Sequence, residues 1–253
     1  MSTFAPAPGA APKSRIISAQ TAYEVRTLLR NGEQLLLTLI IPVVLLLLFG
    51  ATSLLDLGTS DRVGFLTPGI LALAVMSTAF TGQAIGTGFE RRYGVLKRLG
   101  ATPLSRSGLI AAKTLTVIAV EILQAVVIAV VALALGWHPH GNPLSVILLV
   151  LLGTAAFSGL GLLMAGTLRA EATLAAANLV YVLLLAAGGV IFPLTKFPDA
   201  ARSVLELLPI SALADGLRQV LQHGAALPVR DLVVLAVWAV IALPAAARFF
   251  RWE

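Results

Sequence analysis

The sequence predicts an all-α membrane protein with six helices crossing the bilayer. Three observations carry that expectation. Of the 253 residues, 58% are hydrophobic and only 12% are charged, against about 25% in a soluble domain. Long stretches have no charge at all, among them Leu35 to Leu48 and Gly141 to Leu168, and apolar runs of about 18 residues or more are long enough to span hydrocarbon. The formal charge of +6 is gathered between alternate runs, as cytoplasmic anchoring charge is, and calls for no nucleic acid.

Residues 1–14, with Pro6, Pro8 and Pro12, read as a disordered tail. The first apolar run begins too late for a cleavable signal peptide. Residues 15–253 read as one transmembrane domain without internal repeats. Its first segment, 15–33, mixes Arg15, Glu24, Arg26, Arg30 and Glu33 with Ile16, Ile17, Tyr23, Leu28 and Leu29. Arg stems can snorkel from a helix lying on the bilayer surface, and a plain solvated helix fits equally well.

The six expected spans are 34–55, 63–88, 109–136, 143–168, 172–192 and 230–250. Pro42, Pro68 and Pro244 fall in or near them, which packed membrane helices tolerate. With the N-terminus inside, thirteen Lys and Arg lie on the cytoplasmic side or at its edge, and five, Arg62, Lys196, Arg202, Arg218 and Arg230, lie outside. The positive-inside rule therefore places both termini in the cytoplasm. Two connections are long, 89–108 inside and 193–229 outside, and long loops in a compact protein usually have a task.

The inner connection carries Leu96 and Leu99 at i,i+3 among Arg91, Arg92, Lys97 and Arg98, with Gly100 and Pro103 as stop signals. This predicts a short amphipathic helix on the cytoplasmic face. Composition alone favours a basic loop that merely fixes topology. The pattern Glu90, Gly94, Leu96-Lys97-Arg98-Leu99 and Thr102-Pro103-Leu104-Ser105-Arg106 resembles the loop after the second span in ABC transporter permeases of the type-2 export class, which includes daunorubicin-resistance and other multidrug permeases. The outer segment resembles the same family. It runs through Pro193, Phe197-Pro198 and Leu205 to Ser211 with Pro209, and continues from Leu213 to Leu221 with Arg218.

The resemblance covers the chain from about residue 16 to its end, and its implications are specific. Residues 90–106 would form a coupling helix docked on an ATPase, with Glu90, Arg91, Gly94, Leu96, Arg98, Leu99 and Pro103 as the coupling residues. Two short helices before the last span, around Pro193, Pro198, Pro209 and Arg218, would dip into the outer leaflet and return. Apolar residues such as Val204, Leu208, Leu213 and Leu217 would cover that surface, and Arg202, Glu206, Asp215 and Arg218 would face water. The resemblance also implies two ATPase subunits, a second permease subunit of the same or a related chain, and a bacterial plasma membrane.

The chain contains no Gly-Lys pair, so it has no P-loop to cradle phosphates. This chain is therefore expected to bind no cofactor, with ATP and Mg held by the partner. Cysteines are absent, and His138-Pro139-His140 in a tight turn makes a poor metal site. No clustered nucleophile or triad is visible, so an intramembrane enzyme finds no support.

Polar residues inside spans are the remaining candidates. Glu121 lies in the third span, one turn from Gln124, where a charged side chain costs about 2.5–3.5 kcal/mol. It reads either as a transport-path group or as a carboxyl satisfied by Gln124 or another helix. Gln83 and Asn178 read as interhelical hydrogen-bonders, and Gly82-x-x-x-Gly86 as a close-approach motif. Phe80, Phe157, Tyr181 and Phe192 are candidate aromatic lining for an amphiphilic drug-like or lipid-like substrate. An alternative reading is a proton-coupled secondary transporter using Glu121, although such carriers usually show an internal repeat.

Overall fold

The computed structural model describes residues 11–30, 32–52, 59, 61–191 and 193–251, and within these the side chains of 33–37, 51 and 196 are left aside. The described elements are all helical. In chain order they are α1 (Lys13–Arg30), α2 (Gly32–Ala51), α3 (Arg62–Val75), a π-helical segment (Met76–Gly82), α4 (Gln83–Arg92), α5 (Val95–Gly100), α6 (Arg106–Ala134), α7 (Pro143–Thr167), α8 (Ala170–Ala187), a 3-10 turn (Leu194–Lys196), α9 (Asp199–Leu205), α10 (Pro209–Leu221) and α11 (Val229–Phe249).

Five described helices are long and apolar enough to cross a bilayer: Arg62–Arg92, which joins α3, the π segment and α4, then α6, α7, α8 and α11. The first expected span is helical as α2, and its described apolar part runs from Thr38 to Gly50. The span expected at 63–88 continues to Arg92. The one expected at 172–192 stops at Ala187, because Gly188 and then Gly189, at φ 67, turn the chain. Helix α1 begins at Lys13, inside the stretch assigned to the tail.

Local chemistry fixes the helix starts. The side chains of Asp61, Ser105 and Asn142 accept from the backbone N–H groups of Gly64, Gly108 and Leu144, which satisfies donors that every helix N-terminus leaves open. Pro143 and Pro209 stand in the first turns of α7 and α10, where a missing N–H costs nothing. Pro42, Pro68 and Pro244 lie inside α2, α3 and α11 without ending them.

Small residues set the helix crossings, as membrane packing favours. A Cβ on Gly159 of α7 would stand 2.7 Å from the Ala242 Cβ of α11, and one on Gly161 would stand 2.7 Å from the Phe80 carbonyl oxygen. Gly86 behaves differently: a Cβ there would meet nothing within 4 Å, so the Gly82/Gly86 pair makes no close crossing within this chain. The main core gathers Phe65, Leu66, Ile70, Met76, Phe80 and Phe157 with Ile210, Leu213 and Leu217 of α10. A smaller core at the opposite end joins Leu96, Leu104, Leu109, Leu162 and Phe250.

Candidate functional site

At the end of the molecule that carries α5, the chain leaves α4 after Arg92, turns at Tyr93 and Gly94, and re-enters a helix at Val95. Gly94 has φ 71, in the left-handed region that costs a glycine little. The helix expected to start at Glu90 is therefore shorter, because Glu90 and Arg91 belong to the last turn of α4. Leu96 is fully buried and Leu99 is half-buried against the smaller core. Tyr93, Val95, Lys97 and Arg98 are exposed on the other side, and Pro103 is exposed in the turn that follows. One apolar anchor thus holds a short helix whose cationic residues face outward beside the exposed Tyr93 of the turn.

The end of α4 that leads into this helix is tied to its neighbours by charge. Lys113 of α6 is buried, with Nζ 2.7 Å from Glu90 Oε2 and 3.5 Å from Glu24 Oε1 of α1. The N-terminal helix, the end of α4 and the start of α6 therefore meet at one ammonium. Arg91 donates to the Leu168 carbonyl, and Arg92 pairs with Glu171 at the start of α8. In sequence, Lys113 reads as one more anchoring charge. Its two carboxylate partners lie 89 and 23 residues before it, a separation that no local pattern reveals.

The polar residues within the spans do not form one group. Glu121 is 4% exposed, and its Oε2 accepts from Thr154 Oγ1 of α7 at 2.5 Å, while Oε1 has no hydrogen-bond partner among the described residues. Gln124 instead accepts from Thr78 Oγ1 at 3.0 Å and donates to the Thr38 carbonyl at 3.1 Å, so it joins α6 to the π segment and α2. Gln83 is buried, and neither amide atom finds a hydrogen-bond partner among the described residues. Asn178 is exposed and, among the described residues, donates to the Leu174 carbonyl of its own helix. Phe80 and Phe157 are packed into the core rather than lining a path, Tyr181 is half-buried, and Phe192 lies outside the described residues.

At the opposite end, α10 packs among α3, α7 and α11 with most of its residues buried. The expectation that Arg218 faces water fails. Arg218 is 6% exposed, with Nη2 donating to the Val190 carbonyl at 2.6 Å, Nε to the Phe65 carbonyl at 3.3 Å and Nη1 to Asp215 Oδ1 at 3.1 Å. Its guanidinium also lies 4.1 Å from the Phe65 ring centroid, within cation–π range. The cause is steric and polar together: Gly69 leaves room beside the guanidinium, and the turn after α8 presents a carbonyl that needs a donor. Helix α9 stays outside with no buried residue, and Val204 is exposed. It is clasped through Glu206, which pairs with Arg230 and Arg202 at 2.6 and 2.7 Å. Those two hydrogen bonds, Arg230's first, hold the Glu206 carboxyl below its usual range.

No group of three or more His, Cys, Asp or Glu among the described residues is placed to hold a metal ion. Comparison with known proteins places the fold in context. The family model described as "ABC-2 type transporter" matches residues 16–221, a stretch that includes both the α5 turn and α10. The transport permease ycf38 of Porphyra purpurea is 30% identical over 205 residues, covering 76% of this chain and 68% of the relative. Its counterpart in Pyropia yezoensis is 30% identical over 203 residues, 75% and 68% of the two chains. The linearmycin resistance permease protein LnrN of Bacillus subtilis is 31% identical over 162 residues, 62% of this chain and 41% of its own length.

Proposed function

The chain belongs to the ABC-2 type transporter family, a multi-pass membrane family, and from that premise we propose that it is the transmembrane subunit of an ABC exporter. The carrying observation is the family match across the α5 turn, joined to a geometry suited to force transfer. Lys97 and Arg98 are exposed on a helix anchored by Leu96, and Tyr93 is exposed in the turn that leads into it. Its neighbour Glu90 is locked to Lys113 and, through it, to Glu24. ATP would be hydrolysed by a separate ATPase docked on residues 90–106, since the chain lacks a Gly-Lys pair for a P-loop of its own. Movement of α5 would then reach α4, α6 and α1 together.

On this reading the working unit is two permease chains with two ATPase subunits. The first apolar run completes six spans, both termini lie in the cytoplasm of a bacterium, and α10 re-enters from the outer leaflet. The substrate class is an amphiphilic drug-like or lipid-like molecule. The resistance function printed for the Bacillus subtilis relative supports that class, as does the low charge of the spans. The test is co-expression with the candidate ATPase, followed by measurement of co-purification and ATP hydrolysis for the wild type, Glu90→Ala and Leu99→Ala. Equal co-purification, with uncoupled or released ATPase in the variants, is the expected result. A chain that purifies alone and retains no ATPase would overturn the assignment.

A further inference from the structure

Three membrane helices end together on the face that carries α5. Arg91, in the last turn of α4, donates to the carbonyl of Leu168, the residue that caps the C-terminus of α7. The backbone N–H of Arg251, just past α11, donates to the Gly166 carbonyl at 3.3 Å. Two guanidiniums are thus brought to one place, and the charged side chain whose field acts on Arg91 is Arg251, of the same sign.

The neighbouring acidic groups are already engaged. Glu90 is held by Lys113, and Glu171 pairs with Arg92. Among the described residues neither Arg91 nor Arg251 has a carboxylate partner, and Arg91 Nη1 has no hydrogen-bond partner. Arg169 and Arg248, both exposed, adjoin the site in sequence and add charge of the same sign. Glu253, the one acidic side chain beyond Arg251 in the sequence, lies outside the described residues, and a single carboxylate would leave the four arginines in excess. Like charges at close range repel, and an anion shared between them converts that repulsion into two charge-assisted contacts. Apolar surface adjoins the pair. Leu168 is 37% exposed and Phe249 55% exposed, both at helix ends, where headgroups meet hydrocarbon. An anion that carries apolar chains fits this combination. Basic pockets between spanning helices suit acidic lipid headgroups, and the guanidinium fork matches phosphate oxygens.

We propose that Arg91 and Arg251 hold the phosphate of an anionic glycerophospholipid between the ends of α4, α7 and α11, with its acyl chains against Leu168 and Phe249. The inference rests on the spanning helices and not on the exporter reading, so either can fail while the other stands.

The experiment takes the full chain, delipidated in detergent and without any ATPase, and counts bound lipid by native mass spectrometry. The probes are phosphatidylglycerol, zwitterionic phosphatidylcholine, uncharged diacylglycerol and inorganic phosphate. Phosphatidylglycerol should bind saturably, and at least about tenfold more tightly than the other two lipids, as loss of a charge-assisted contact implies. Arg91→Gln with Arg251→Gln should weaken it by at least about tenfold on the same ground. Arg15→Gln with Arg30→Gln removes as much charge from exposed positions of α1 and should leave binding nearly unchanged. Equal losses in the two double variants would reveal diffuse surface charge and overturn the site. Equal binding of phosphatidylcholine or diacylglycerol, or no saturable binding, overturns it as well. Displacement of the lipid by millimolar inorganic phosphate would make this a free-anion site and remove the lipid. Should Arg91→Gln fail to fold, Arg251→Gln alone decides, because Arg251 is exposed: weakening by severalfold supports the proposal, and unchanged binding refutes it.

Discussion

Replacing Arg218 with Met tests whether one guanidinium holds the α10 end together. The substitution keeps most of the buried stem volume and deletes three polar contacts. The Val190 contact, at 2.6 Å, is short and buried, and hydrogen bonds to charged groups contribute about 1.5–3 kcal/mol. The Phe65 contact, at 3.3 Å, is near the limit of useful length and adds well under 1 kcal/mol. Asp215 is about a third exposed, so screening by solvent reduces its pairing to roughly 0–1 kcal/mol. The cation–π contact with Phe65 adds roughly 0.5–2 kcal/mol, and relief of the arginine's desolvation offsets part of the sum. The net expectation is a loss of about 2–4 kcal/mol, read as a shift in the midpoint of reversible unfolding in mixed micelles. Gly69→Ala should act on the same contact, since its Cβ would fall 2.3 Å from the Val190 oxygen and 2.8 Å from Arg218 Nη2. The double variant should therefore be less destabilised than the sum of the singles. A loss below about 1 kcal/mol for Arg218→Met, or strict additivity with Gly69→Ala, would refute the clamp.

Further outcomes follow from contacts described above. Gly159→Leu should separate α7 from α11 and cost roughly 1–3 kcal/mol or more, seen as a lower melting temperature in detergent. An unchanged melt would mean the crossing tolerates bulk. Glu206 has its folded pKa lowered, so the clasp on α9 contributes stability above the unfolded carboxyl value, about 4.3, and loses it as the pH falls through the lowered folded value. Melting curves at falling pH should therefore converge between wild type and Glu206→Gln, and curves that stay parallel would contradict the clasp. Lys113→Met leaves Glu24 and Glu90 without their shared cation, and protease cleavage after Arg26 or Arg30 should accelerate severalfold. Identical cleavage kinetics would show that α1 is held by other contacts.

Spans were legible because uncharged runs and their punctuation are local properties. Ser105, Asn142 and Pro143 mark starts, and Gly188 and Gly189 mark a stop that the apolar count ran past. The short helix around Leu96 was legible from the i,i+3 pair, but its boundary was not, since Gly94 could equally have lain inside a longer helix. Arg218 was misread because it stands beside Asp215 and Gln219, which do reach solvent, and only the tertiary packing turns it inward. Its partners are carbonyls, which carry no side-chain signature. Glu121 presented two readings in sequence, and its bond from Thr154, a contact 33 residues away, was not legible there. The π segment had no signal at all: Met76–Gly82 is composed like any other part of an apolar helix.

The Arg218 contacts also set an order in time. The guanidinium closes on a carbonyl made 153 residues earlier, at Phe65, and on another made 28 residues earlier, at Val190. At a synthesis rate of about 5–20 residues per second, the Phe65 carbonyl waits roughly 8–30 s for its donor. During that interval α3 is already made but the segment that seals it is still unwritten. A nascent chain released before Arg218 is therefore left with an open end. Completion of this part of the molecule belongs to the last fifth of the chain, not to the helices that first enter the membrane.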